Sequence, residues 1–399
     1  MKVAGNKFET WKNYYVYREC LQNFCNKLNM DVKNINIIYQ DSINCNTHYD
    51  KKNDCIIFNT QFPRYIVRCN SLVLDKNIEY SNYYNALFYL FMLNKCTLDH
   101  MLDVTVSTMQ LYEEYMLEPI VPEFWKNFNF SRCMDMGELQ NMILLGHELY
   151  HRSIYLQSKN KFQDTYNREF ESAKKTIEKY MKEDFEGDIN KEFIEEALCD
   201  WFAVKTLIQA NPDKIQDVIE AYSALLCAIC FIKIAGIFAV SMPYGKEYLR
   251  THTKNQILLY ESRFVFFSDE LCNYILSENI NLTFTDIIKL QKKTFLFINN
   301  IIKRAFDISV EFAKKNAQNS KDNYIRYFID PLSTNKETIE VSTSIFLTCE
   351  TMLKGKLDIF DYIVRADTLN NYKSLSIVPI DHNFDHNGNL DNSAEERRT

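Results

Sequence analysis

Three residues stand at the spacing of metal chemistry. His147-Glu148-x-x-His151 sets two histidines four residues apart in the run from Ile143 to Arg152. On a helix, positions i and i+4 lie one above the other, so both imidazoles point at a common spot. Imidazole nitrogen is a good ligand for a divalent transition metal. Glu148 falls beside that spot rather than on it, where a carboxylate takes a proton from metal-activated water.

Two histidines leave a catalytic zinc site incomplete, because such sites use three protein ligands and keep a further position open. The best source of the third is Phe193-Ile194-Glu195-Glu196-Ala197-Leu198-Cys199-Asp200-Trp201-Phe202-Ala203, which reads as a helix. Glu196 and Asp200 share a face of it, whereas Glu195 and Asp200 are about 140° apart. If the two carboxylates act together, Glu196 is the ligand. Asp200 then accepts a hydrogen bond from the back of one ligating histidine and fixes its tautomer. Cys199 and Ala203 are small, which lets this helix approach the first closely. His48, His100, His382 and His386 have no partner at ligand spacing and are expected to be structural or solvent-exposed.

The rest of the chain must hold these two helices. Its 399 residues suffice for two domains or one elaborated domain. With only 8 Gly and 7 Pro, long helices are favoured over a many-turned sandwich. Residues 35–45 and 54–72 are strand-like, with Cys55–Phe58 and Tyr65–Cys69 expected as strands around a turn at Pro63. A small N-terminal sheet packed on helices follows. If that sheet borders the metal cleft, its edge could take an extended peptide as an added strand.

Helical patterns cover 8–30, 80–97 and 100–117, and 118–134 reads as a loop. Asp135 and Glu138 have the spacing of a capping box that starts the metal helix. The charge-dense stretch 156–192 contains an expected solvated helix at 166–184, and Asn190 is an N-cap for the next. Residues 221–242 are apolar for the length of a membrane span, but Lys233 in their middle and the lack of a Trp belt favour a buried core helix. Further helices are expected at 250–318 and 343–366. The polar tail 381–399 reads as disordered and carries Asn383-x-Asp385-x-Asn387-Gly388, the start of a calcium-loop pattern whose twelfth position is Ala394 rather than Glu.

A net charge of −7 gives no case for a nucleic-acid surface. The N-terminal residues lack a signal-peptide layout, so the 12 cysteines are expected as free thiols in a reducing cytoplasm.

His-Glu-x-x-His followed by Glu-x-x-x-Asp on a second helix resembles the gluzincin class of zinc metallopeptidases. The segment Glu196-Ala197-Leu198-Cys199-Asp200-Trp201-Phe202-Ala203 is similar to the Glu-x-x-Ala-Asp-x-x-Ala block of bacterial members. The wider layout resembles the Lit-type phage-exclusion peptidases. The motif match covers about 147–203. With the element pattern, it implies an α+β, predominantly α-helical fold with a zincin-like core. Residues 1–130 would form an N-terminal helix and small sheet region. Residues 131–260 would be the catalytic core, with the charged insertion at 156–192. Residues 261–380 would be helical, before the tail 381–399.

The resemblance implies Zn2+ held by His147, His151 and Glu196, with Glu148 as general base and Asp200 behind the ligands. The expected function is a cytoplasmic zinc endopeptidase acting on a protein or peptide, with no nucleic-acid or membrane partner, in phage exclusion or regulated proteolysis. A catalytically degenerate zinc-containing binding protein and a membrane-embedded protease spanning at 221–242 are the alternatives.

Three features depart from the family pattern. Arg152 stands where an uncharged residue is usual. Forty-four residues separate His151 from Glu196. In place of the family's downstream His-Pro and nearby arginine, the chain has Thr251-His252-Thr253, with Arg263 eleven residues beyond His252. His252 is the residue expected to stabilise the oxyanion.

Overall fold

β-branched and aromatic runs near the N-terminus form a small sheet whose last strand lies against the metal helix. In the computed structural model, residues 2–4, 19–40, 46–59, 61–74, 81–99, 105, 107–112, 130–156, 161–181, 189–241, 246–278, 280 and 282–321 are described. Strands β1 (Lys2–Ala4), β2 (Asn36–Gln40), β3 (His48–Asp50) and β4 (Cys55–Asn59) are ordered β1-β2-β4-β3. β1 and β2 are parallel, as are β2 and β4, while β3 runs antiparallel to β4 with Tyr49 opposite Ile56. A helical stretch at 19–27 (α1) lies between β1 and β2 in sequence. Among the described residues β3 is thus an edge strand. Its hairpin turn is held by the Asp50 carboxylate, which accepts from the Lys52 and Asn53 amides. The turn ends on Asp54 at φ 45°, a left-handed conformation that Asp tolerates better than most residues.

The helices are α2 (Gln61–Leu74), α3 (Ser81–Leu98), α4 (Phe130–Leu156), α5 (Lys161–Met181), α6 (Lys191–Ala210), α7 (Ile215–Ser241), α8 (Lys246–Glu278) and α9 (Phe284–Lys321), with a helical stretch at 107–112 between α3 and α4. The fold is therefore α+β and mostly helical. The apolar run 221–242 lies almost wholly in α7, which packs on α2, α3, α4, α6, α8 and α9. Its Phe231 meets Tyr84, Phe88 and Phe91 of α3. α7 is long and apolar enough to cross a membrane, and most of its apolar window is buried by these neighbours, with Lys233 on the exposed side.

α4 carries the metal motif and is buried at every position from 143 to 150, as a helix surrounded on all sides must be. α6 packs against it with Ala203 facing Gly146. A Cβ there would run into the Phe24 ring and lie 3.0 Å from the Ala203 Cβ. The small residue at 203 thus permits the approach that its size suggested. Helix propensity alone would favour Gly146→Ala by about 0.5–1 kcal/mol. Phe24 is fully buried and has nowhere to move, so overpacking wins. Gly146→Ala should lower stability by about 1–3 kcal/mol in urea titrations.

Three local expectations are corrected. Tyr65–Cys69 is not a strand but part of α2. Asn59 caps that helix through Oδ1, which accepts from the Gln61 and Phe62 amides, and Pro63 sits in the first turn, where its missing N–H costs nothing. Residues 62, 65, 66, 69, 70, 72 and 73 are buried, a helical period that outweighs the β-rich composition. Asp135 does not start the metal helix, because α4 begins at Phe130. Asp135 is an exposed position within it, and Cys133 and Met136 already continue the buried face. The helix in the charged stretch is α5, and it is not solvated all round. Tyr166, Ala173, Ile177 and Met181 form a buried stripe packed on α6 and α8. Asn190 caps α6 as expected, its Oδ1 accepting from the Glu192 amide. The expectations for residues 8–18, 118–129, 343–366 and 381–399, and for His100, His382 and His386, lie outside the described residues.

Candidate metal centre

One turn of α4 presents His147 and His151, and one turn of α6 presents Glu196 and Asp200. The ring Nε2 atoms of His147 and His151 lie 3.1 Å apart. The Glu196 carboxylate closes the triangle, with Oε1 3.0 Å from His151 Nε2 and Oε2 3.3 Å from His147 Nε2. Three donors from two helices thus converge on one point. His147, His151 and Cys199 also form a group that could hold a metal ion, their ligand atoms lying within 4.8 Å of one another. The Glu196 set is the tighter of the two. Burial and then the charges of Glu196, Glu148 and Asp200 push the Cys199 thiol well above its usual range, against the thiolate that ligation needs. Glu196 is also the most open of the three donors around that point, with 38% of its side chain exposed, so the donor set faces solvent on that side.

Behind the donors, His147 Nδ1 donates to Asp200 Oδ1 at 2.9 Å, which leaves Nε2 free for a ligand role. Asp200 Oδ2 accepts from Arg263 Nε at 2.9 Å, Arg263 Nη2 at 2.6 Å and the Tyr222 hydroxyl at 3.0 Å. Arg263 Nη1 also lies 3.7 Å from Glu196 Oε2. One buried guanidinium from α8 therefore supports both carboxylates. Burial opposes charge on Glu196, but His147, hydrogen bonds from both rings and Arg263 hold its carboxyl well below the usual range. Burial likewise opposes the protonated His147 ring, and the Glu196 charge and the Asp200 hydrogen bond outweigh it and push His147 up to about 10.

Glu195, next in sequence to the ligand candidate, turns away and accepts from the Tyr166 hydroxyl of α5 at 2.6 Å. Scans of the chain against protein-family models, curated proteins and solved structures find no match. The site is therefore judged on its own geometry.

Glu148 stands next to the donor group and feels His147, His151 and Glu196 electrostatically. Its Oε2 accepts the Tyr49 backbone N–H of β3 at 2.7 Å, and burial pushes its carboxyl above the usual range. The edge strand thus borders the site. Arg152, the residue after the second histidine, is buried. Its Nε and Nη2 donate to the two oxygens of Asp54 at 2.7 and 2.8 Å, and Nη2 also reaches the Asn34 carbonyl at 3.3 Å. That pairing holds the Asp54 carboxyl below its usual range.

His252 is an exposed residue of α8, eleven helical residues and about 16 Å along the axis from Arg263. Arg263, named in the sequence only as a loose partner of His252, is the residue the fold brings in. Tyr49, Asp54 and Tyr222 carried no local signal. Their roles come from β3, its turn and α7, elements whose relation to α4 and α6 is set by packing.

Proposed function

We propose that the protein is a zinc-dependent endopeptidase with a zincin-like core, in which His147, His151 and Glu196 hold the metal and Glu148 is the general base. The observation that carries this reading is the convergence of both Nε2 atoms on the Glu196 carboxylate with Glu148 beside them. Two imidazoles and a carboxylate with an open side are a donor set suited to catalytic zinc. A metal bound there supplies Lewis acidity, which polarises a peptide carbonyl and acidifies water.

The chain's own residues do the rest. Asp200 holds the His147 tautomer, and Arg263 and Tyr222 hold Asp200. Glu148, raised by burial, accepts a proton from the attacking water and then donates it to the departing amine nitrogen. A peptide is favoured as substrate because β3 is an edge strand whose Tyr49 amide turns away from β4 toward the base. An extended chain added along that edge would carry its backbone past Glu148.

The test is metal analysis of the purified protein, followed by digestion of a peptide library with and without chelator. Stoichiometric zinc and chelator-sensitive cleavage are expected. Stoichiometric zinc with no cleavage of any peptide or protein would instead favour the binding-protein reading. The site also sets a pH dependence. In the metal-free protein His147 keeps a proton at neutral pH, and the metal must displace it. Zinc affinity should therefore rise as pH rises, by about tenfold per unit across the neutral range, with proton release measurable by calorimetry in buffers of different ionisation enthalpy. Stability linked to that proton runs the other way. A raised histidine pKa contributes fully below about 6.5 and is lost as pH climbs through about 10.

A further inference from the structure

Glu148 and Arg152 are four residues apart on α4 and so share one face of it. That face meets the β3–β4 hairpin at two points. Glu148 Oε2 accepts the Tyr49 amide at 2.7 Å, and Arg152 forks onto both oxygens of Asp54. The two points are tied to each other within the hairpin, because the Tyr49 hydroxyl donates to Asp54 Oδ1 at 3.0 Å. The result is a closed ring of contacts running from Glu148 through the Tyr49 backbone and side chain to Asp54, Arg152 and back along one helical turn.

From this ring we propose that Arg152 and Asp54 are positioning residues for Glu148, clamping the hairpin turn to the metal helix so that the Tyr49 amide holds the base in place. The inference rests on the reading of Glu148 as general base. Three features favour it over a simple tether. A bidentate Arg–carboxylate pair fixes orientation as well as distance, which a lysine could not do. The Asp54 side chain is 43% exposed and that of Arg152 8%, so solvent screens the carboxylate while the buried guanidinium keeps its orientation. Arg152 spends a further donor on the Asn34 carbonyl just before β2, so the same guanidinium holds two sites on the sheet side. Arg152 is then the residue that seats the edge strand against the base.

Asp54 has φ 45°, so the test uses residues that keep that backbone. Asp54→Gly removes the carboxylate without strain, and Asp54→Asn keeps one acceptor oxygen and the same turn. Each is compared with the unsubstituted protein in zinc-loaded form, by metal content, hydrogen exchange at the Tyr49 amide read from selectively 15N-labelled tyrosine, and turnover of any cleaved peptide. Asp54→Gly should keep stoichiometric zinc and native exchange across α6, and speed exchange at Tyr49 by at least about tenfold. Turnover should fall by about 10–100-fold, the effect of misplacing a catalytic group by a fraction of an ångström to an ångström. Asp54→Asn keeps one acceptor but cannot take the fork, so it should recover only part of both losses. Unchanged Tyr49 exchange in Asp54→Gly would overturn the proposal, as would full recovery in Asp54→Asn, which cannot take the fork. If Asp54→Gly fails to fold, Arg152→Lys, which keeps the charge but cannot fork, is read by the same criteria. Should the unsubstituted protein cleave nothing, the endopeptidase reading fails by itself, while Tyr49 exchange still decides whether the clamp holds Glu148.

Discussion

Glu148→Gln should lower turnover by about 10²–10⁴-fold and leave the zinc content at its original level. The split follows from where the carboxylate stands. The three proposed metal donors are His147, His151 and Glu196, and Glu148 is hydrogen-bonded to the Tyr49 amide at 2.7 Å. Glutamine keeps an acceptor oxygen for that amide and nearly the same volume, so packing around position 148 persists. What it lacks is a group that binds and releases a proton, which is the step the proposed mechanism asks of this residue. Glu196→Ala is the complementary change. It removes a donor from the convergence point and should lose metal by more than the about 10–100-fold typical of groups behind the ligands. Metal analysis and peptide hydrolysis on both variants make the check. Full activity in Glu148→Gln would sink the mechanism, and full zinc in Glu196→Ala would shift the third ligand toward Cys199, the other donor within reach.

Asp200→Ala should destabilise the fold by about 3–5 kcal/mol, the cost of leaving a buried charge without its partner. Asp200 and Arg263 are both almost fully buried, and Asp200 accepts four hydrogen bonds from Arg263, Tyr222 and His147. Removing the carboxylate strands a guanidinium that cannot shed its proton, with only Glu196 at 3.7 Å to compensate. His147 also loses the acceptor that fixes its tautomer, so zinc affinity should fall by about 10–100-fold. The two effects separate in urea titrations done with chelator and with zinc. Adding Arg263→Leu to Asp200→Ala should restore much of the chelator-state stability, because the stranded charge goes with it, while zinc affinity stays low. If the double variant is no more stable than the single, the cost lies elsewhere than in the buried charge.

Which parts of this site the sequence could reveal depends on distance along the chain. The His147–His151 pair and the shared face of Glu196 and Asp200 follow from 3.6 residues per turn, whereas which histidine meets Asp200 was set by the packing of α4 on α6. A helix keeps that register wherever it is packed, and Glu195 indeed faces Tyr166 of another helix. The same rule places His252 three turns of α8, about 16 Å along the axis, from Arg263. Composition was a weaker guide in α2, where a β-rich run was overruled by an Asn59 cap and a helical burial period. β3, at three residues, is too short to carry a pattern of its own.

The sequence by itself determined the two helical turns that carry the donors, because their geometry is local and periodic. Only the tertiary structure decided what surrounds them. Arg263 and Tyr222 behind Asp200, the Tyr49 amide on Glu148 and the Asp54 fork on Arg152 join residues 22 to 99 positions apart. No helix or strand period links such positions. They meet because burying the apolar faces of α7 and α8, and seating the small sheet on α4, leaves those polar groups with no better partners than one another.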